Sequence, residues 1–416
     1  MSYSFALAAQ MTTTDTPEGA QERVVHTPAG ILAITAMPGG GIRLAQSKDG
    51  GKTFPYAEID DTIGTVGKIA VWWSLDTPGD TSYVLYVAVI ETDADDVLIT
   101  DIFGDLSDAD AVVGPDIAWR FAWNTVFSGA SLATTNVCLS MTMARDGTLY
   151  VAFDGDGGTE KGFYEQTSGS GVSDWGWTSR SDPTEGADLF FLAPGFAADQ
   201  KDVLMLFWDR SADEISRKVY DNSGDSWAET SISTGMVDQT TLVVSNQWAF
   251  CVRHSDSKLV LVAWNSFNLT TSDFHAWEID ESAITALTDL VSNTGGTGDV
   301  CGAAITIDQS TDELTVFMFG KDDGSQAYVV GGTGGDVGVY QMTSTDAGAT
   351  WSAQVEVLPT LSPLGLRGIW ASKSVPDGET PQVGFSSIGS SGVGGSLFVT
   401  YEEAAGGGGG AVAYAA

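Results

Sequence analysis

The sequence predicts an all-β chain folded as a single β-propeller over residues 1–416, and three observations carry that expectation. A short apolar, β-rich segment recurs along the chain, tight polar turns and Gly/Asp-rich loops separate the strands around it, and no stretch of helical length places apolar residues at 3.6 spacing. The recurring segment reads Leu32–Met37, Leu85–Ile90, Leu149–Asp154, Leu204–Asp209, Val260–Asn265, Leu314–Phe319 and Leu397–Glu402, with intervals of 53, 64, 55, 56, 54 and 83 residues.

Each copy follows another short strand across a turn, as Met141–Ala144 precedes Arg145-Asp146-Gly147, so the pair is a hairpin. A third strand then follows most copies, for example Phe163–Gln166, Lys218–Tyr220, Ala276–Ile279 or Val339–Met342, and usually a fourth. Four antiparallel strands per repeat make a propeller blade, and the seven copies predict seven blades. Six blades, one with a long insertion, is the alternative that the last interval leaves open. The final copy is short: after Leu397–Glu402 only Ala411–Ala416 remains to supply a third strand. A missing outer strand would leave a bare edge, and the alternating segment Tyr3–Gln10 is suited to fill it, closing the ring through the two termini.

Composition narrows the partners. The chain holds 18 Lys plus Arg against 55 Asp plus Glu, a net charge of −37, yet 43% of its residues are apolar and 13 are Trp. It is therefore a folded protein whose field repels phosphate backbones and anionic lipid, so no nucleic acid and no membrane insertion are expected. The acid excess reads as a device for staying hydrated in high salt, where screening relieves self-repulsion. No apolar run approaches the length of a membrane span, and the first residues have no basic region of a secretory leader. Cys138, Cys251 and Cys301 are widely spaced and read as small buried hydrophobes.

Two loops after third strands share the pattern S-x-D-x-G-x-T-aromatic: Ser47, Asp49, Gly51, Thr53 and Phe54 in one, Ser344, Asp346, Gly348, Thr350 and Trp351 in the other. Asn222–Trp227 is a weaker copy and Ser168–Trp175 a more eroded one. The pattern resembles the Asp box, the bacterial neuraminidase repeat of sialidase-like β-propellers. That resemblance implies a structural role, with carboxylate and hydroxyls satisfying the turn's backbone and the aromatic plugging into the blade. It also places the loops opposite the face that carries the active site, so Asp49 and Asp346 are not expected to be catalytic. Gly51-Lys52-Thr53 looks like the end of a P-loop, but Gln46 stands where an earlier Gly is required.

Sialidases clamp a carboxylate with three Arg, the first in an R-I-P motif; Arg23 here lacks the Ile-Pro and sits close to the turn. Of nine Arg, Arg145 and Arg253 fall in first-hairpin turns, and nothing joins three of Arg43, Arg120, Arg180, Arg210, Arg217 and Arg367. No catalytic residue is assigned. The scattered His26, His254 and His275 read as surface or packing residues, and no H-E-x-x-H or G-x-S-x-G occurs. The acidic loops Asp154–Glu160 and Glu91–Asp96 offer oxygen donors that suit Ca²⁺, but their spacing matches no EF-hand and they read as solvated loops without a cofactor.

The expected function is a non-enzymatic structural or adhesion module, extracellular or on a virion, binding a host-surface glycan or another surface protein; a sialidase-like glycoside hydrolase is the alternative. The end of the second strands offers Asp154, Asp209, Asn265 and Glu402, with Trp208 and Trp264 beside them. Aromatic rings stack on sugars while carboxylates and amides meet hydroxyls; the competing expectation is that both Trp fill the space between blades. The sequon Asn268-Leu269-Thr270 lies in the same loop region.

Overall fold

The computed structural model describes residues 2–403 except 12–22, 38, 115, 120–122, 130–131, 133–137, 155–159, 169–173, 184–188, 198–199, 210–211, 237–247, 266–272, 292–301, 321–337, 359–364 and 389–394. Seven sheets, each built on four antiparallel strands, form seven blades. Blade 1 comprises Val24–Thr27, Gly30–Ala36, Ile42–Ser47 and Tyr56–Asp60, from inner to outer strand, and blades 3, 4 and 5 repeat that plan. In blade 2 the third strand Asp96–Gly104 is covered by two short strands, Asn124–Ser128 and Ile117–Trp119, while in blade 6 the inner strand Ala303–Asp308 gains a parallel partner, Ser374–Val375.

The first six recurring segments are second strands, buried on both faces. In blade 4, Leu204, Leu206 and Trp208 join one core while Val203, Met205 and Phe207 join another, packed against Tyr150, Ala152 and Phe163 of blade 3. A strand clamped between two neighbouring sheets has no solvent side, so it reads as an unbroken apolar run. Cys138 is buried in the second of these cores and Cys251 in the core between blades 5 and 6, as expected; Cys301 lies outside the described residues.

The last copy requires a correction. Leu397–Glu402 lies in the third strand of blade 7, Gly395–Glu403, whose partners are the second strand Val383–Ile388 and the N-terminal strand Ser2–Met11. The third position expected for Ala411–Ala416, a segment outside the described residues, is therefore already filled. The N-terminal strand completes the blade as expected, pairing from Ser2 with Glu403 to Met11 with Gly395. The long final interval reflects this change of strand rather than an inserted blade.

The two S-x-D-x-G-x-T loops join third to outer strands in blades 1 and 6 and share one hydrogen-bond network. Ser47 Oγ donates to Asp49 (2.8 Å), Gly51 N–H donates to Ser47 Oγ (2.9 Å), and Thr53 gives its N–H (2.9 Å) and hydroxyl (2.7 Å) to Asp49. Ser344, Asp346, Gly348 and Thr350 repeat it within 0.1 Å. Gly51 and Gly348 sit at φ of +91° and +87°, a region costly for other residues. The loop aromatics grip the preceding blade: Trp351 Nε1 donates to Thr288 O of blade 5 (3.0 Å), and in blade 4 Trp227 Nε1 donates to Ser181 O of blade 3 (2.7 Å). The Ser168–Trp175 copy lies largely outside the described residues.

Candidate functional site

Antiparallel blades give the ring two ends. Loops joining strands one to two and three to four, the S-x-D-x-G-x-T loops among them, lie at one end; loops joining two to three, and one blade to the next, lie at the other.

Asp154, Asp209 and Asn265 end the second strands of blades 3, 4 and 5, at the two-to-three end, as the repeats imply. Asp154 is fully buried. Asp209 and Asn265 are half-buried, and each shapes its own loop: Asp209 accepts from Ala212 N–H (2.9 Å), and Asn265 from Asp273 N–H (2.9 Å). Glu402, being in a third strand, runs to the opposite end and cannot join them. Trp208 is 0% and Trp264 2% exposed. Trp208 meets Trp248 of blade 5 edge-on at 5.6 Å, and Trp264 stacks on Phe274 at 4.5 Å. Both rings fill interblade cores and present no face to a sugar, which corrects their reading as stacking residues. The sequon and residues 155–159 of the first acidic loop lie outside the described residues; among those described, no group of three His, Cys, Asp or Glu is arranged to hold a metal ion.

The other end is closed on the axis. The connection after the inner strand of blade 2 begins with a 3-10 turn, Ser74–Asp76, and crosses the ring. Buried Asp76 accepts from Ser374 Oγ of blade 7 (2.6 Å), and its backbone carbonyl takes a hydrogen bond from His254 of blade 5. Thr77 accepts from Trp72 Nε1 (3.0 Å). Lys373 of blade 7 lies over the rings of Trp72 and Phe250, 4.9 and 5.4 Å from their centroids. Beside this plug is a cavity of about 390 Å³, whose wall draws on blades 1, 2, 5, 6 and 7 and includes His26 and His254.

Sequence reasoning placed both histidines at the surface or in packing. The available signal was position: each stands at or just past the end of an inner strand, Val24–Thr27 or Trp248–Val252, where the turns face the axis. Desolvation pushes His26 down to about 4 and lowers His254, the latter partly offset by its bond to the Asp76 backbone. For His26 the unfolded chain takes the proton first as pH falls. Its contribution is therefore intact above the unfolded value near 6.5 and declines through about 4. We expect wild type to lose up to about 3 kcal/mol relative to His26→Gln across that window. Parallel urea titrations at neutral and acid pH check this, and equal pH slopes for the two proteins would mean that His26 charges freely.

A second cluster lies between blades 3 and 4. Glu165, 1% exposed, accepts from Arg180 Nε (2.6 Å), Lys201 Nζ (2.7 Å) and Asn222 Nδ2 (3.0 Å). Burial pushes its carboxyl up, but these donors outweigh it and hold the group below the usual range. Asn222 occupies the Asp position of the loop pattern in blade 4; an Asp there would face Glu165 with like charge. In blade 5, Glu278 binds Arg253 and Lys258, each at 2.6 Å.

No protein-family model and no curated protein matches this chain in sequence. In structure it is similar to a polysaccharide lyase, the PL25 ulvan lyase, solved alone and bound to -[GlcA(1-4)Rha3S]-. Each comparison has a TM-score of 0.50 and 8% identity over 95% of both chains. A Dos1 propeller aligns over 95% of both chains at 10% identity and a TM-score of 0.46. At such identities the likeness shows the shared propeller fold alone.

Proposed function

We propose that the protein is a non-enzymatic recognition and display propeller, standing on a virion or cell exterior and binding a surface glycan or another surface protein. The observation that supports this most is where the cations go. Arg180 and Lys201 are bound to Glu165, Arg253 and Lys258 to Glu278, and Arg145 and Arg217 to backbone carbonyls of Gly195 and Asp280 in the following blades. Lys201, Arg145 and Arg217 join neighbouring blades and Arg180, Arg253 and Lys258 brace their own, whereas a clamp for an anionic sugar needs several cations converging on one empty space. The recognition end in this reading is the two-to-three end, where Asp209 and Asn265 stand in adjacent blades.

The sialidase-like alternative is favoured by the matching networks of the two S-x-D-x-G-x-T loops, which fit the Asp-box family. From the ulvan lyase this chain borrows only the suggestion that its ligand is a carbohydrate. Glycan-array and whole-cell binding by wild type, Asp209→Ala and Asn265→Ala test the proposal, with circular dichroism to verify folding. Weakened binding in the folded variants is expected. Unchanged binding would remove this end from the reading, and release of free sugar by wild type would establish the hydrolase instead.

A high-salt habitat belongs to the same proposal. With a net charge of −37, the melting temperature should climb as KCl is raised to molar levels. A flat response would dispose of the halophilic origin.

A further inference from the structure

The axial cavity is assembled from five blades, and its chemistry is specific. The turn His26–Pro28 contributes from blade 1, Trp73, Leu75, Asp80 and Tyr83 from the plug of blade 2, His254 from blade 5, Gln309 and Ser310 from blade 6, and Ser374–Asp377 from blade 7. Its volume of about 390 Å³ falls in the range of small-molecule sites.

Much of the polar lining is engaged within the protein. Ser374 is bonded to Asp76 and Ser310 to Asp377 (2.7 Å). Gln309 donates to Val252 O (2.8 Å) and accepts from His254 N–H (2.9 Å), while Asp80 accepts from Ser82 N–H (2.8 Å). The histidines are engaged only in part: His254 bonds to the Asp76 carbonyl, but His26 Nδ1 and His254 Nε2 are buried and have no hydrogen-bond partner among the described residues. Each unsatisfied group of this kind costs about 1–3 kcal/mol, and both belong to residues on one cavity wall.

Tyr83 supplies the second observation. It is a bulky residue held at φ +53°, in the left-handed region, half-buried and set edge-on against Trp73 at 6.1 Å. Such a conformation is costly for an aromatic residue and is kept where its surroundings impose it, often at ligand sites. It puts a phenol ring on the cavity wall.

We propose that this cavity binds an uncharged, hydroxyl-rich ligand of the sugar-ring class, with Tyr83 stacking on the ring and His26 and His254 bonding to its hydroxyls. The neutral imidazoles can donate or accept according to tautomer, as hydroxyls can, and they supply no charge to hold an anion. The rim carboxylates Asp80 and Asp377, within a strongly acidic protein, repel an anion further. The site lies at the opposite end from Asp209 and Asn265 and does not depend on them.

Saturation-transfer NMR of the full chain with methyl glucoside, galactoside and mannoside at millimolar concentration tests the assignment, alongside methyl glucuronide and butylammonium. At least one neutral glycoside should bind. Tyr83→Ala should weaken it about tenfold by removing the stacking ring, Tyr83→Phe should retain most of the affinity, and Asp209→Ala should leave it unchanged. Three results would overturn the proposal: no transfer to any neutral glycoside, preference for the glucuronide or the amine, or glycoside binding that survives Tyr83→Ala. If that surviving binding is lost in Asp209→Ala, the sugar site is at the other end, and the preceding reading stands while this one fails.

Discussion

Deleting Ser2–Met11 should abolish the cooperative fold of the ring. The segment is the whole outer strand of blade 7, and its removal strips Gly395–Glu403 of its partner and bares an apolar edge that recruits other chains. It also empties a core: Ala8, 3% exposed, packs with Val24, Ile31, Trp370, Leu397 and Val399, and Phe54 of the blade 1 loop leans on the same cluster. Domain stabilities are only about 5–15 kcal/mol, so losing a ten-residue strand with its share of the core exceeds what the ring can absorb. The truncated protein should sediment as aggregate and melt without a sharp transition, and a synthetic peptide of the deleted sequence should restore part of both properties. A monomer with an unchanged melting curve would show that the termini do not hold the ring shut.

Glu165→Ala is expected to cost about 3 kcal/mol, the low end for breaking a buried ion pair. The low end applies because Arg180 and Lys201, with side chains 26% and 42% exposed, can turn to water once the carboxylate is gone. Asn222 has less freedom, being bonded also to Tyr150 Oη (3.1 Å). Glu278→Ala is the internal comparison: its side chain is 16% exposed against 2% for Glu165, so a smaller loss should follow. Urea denaturation of the two variants decides it, and equal losses would mean that burial does not set the strength of these clamps.

How much could be read in advance depended on whether a residue's surroundings were local. Second strands such as Leu204–Asp209 announced themselves because both faces are buried, and the repeat then gave the blade plan. That signal does not say which strand of a blade an apolar run occupies. Leu397 and Val399 are fully buried third-strand residues, while the true second strand Val383–Ile388 carries Gly384, Ser386 and Ser387 and looks weaker. Trp208 and Trp264 posed the same difficulty, since alternation fixes that a side chain leaves the sheet but not whether a neighbouring blade covers it. The S-x-D-x-G-x-T loops were legible down to individual hydrogen bonds, their partners lying within a few residues. The axial cavity was not, because residues as far apart as His26 and Asp377 meet only after the ring has closed.

The plug of blade 2 has a bearing on ancestry. Repeat proteins in which each unit touches only its neighbours can gain or lose a unit by duplication or deletion with modest penalty. Here Asp76 reaches blades 5 and 7, and Lys373 lies against rings from blades 2 and 5, so the units are no longer interchangeable. Inserting or excising one blade by recombination would widen or narrow the bore and break these spokes together. With the spokes in place, a change in blade number carries a penalty that a simple repeat array does not.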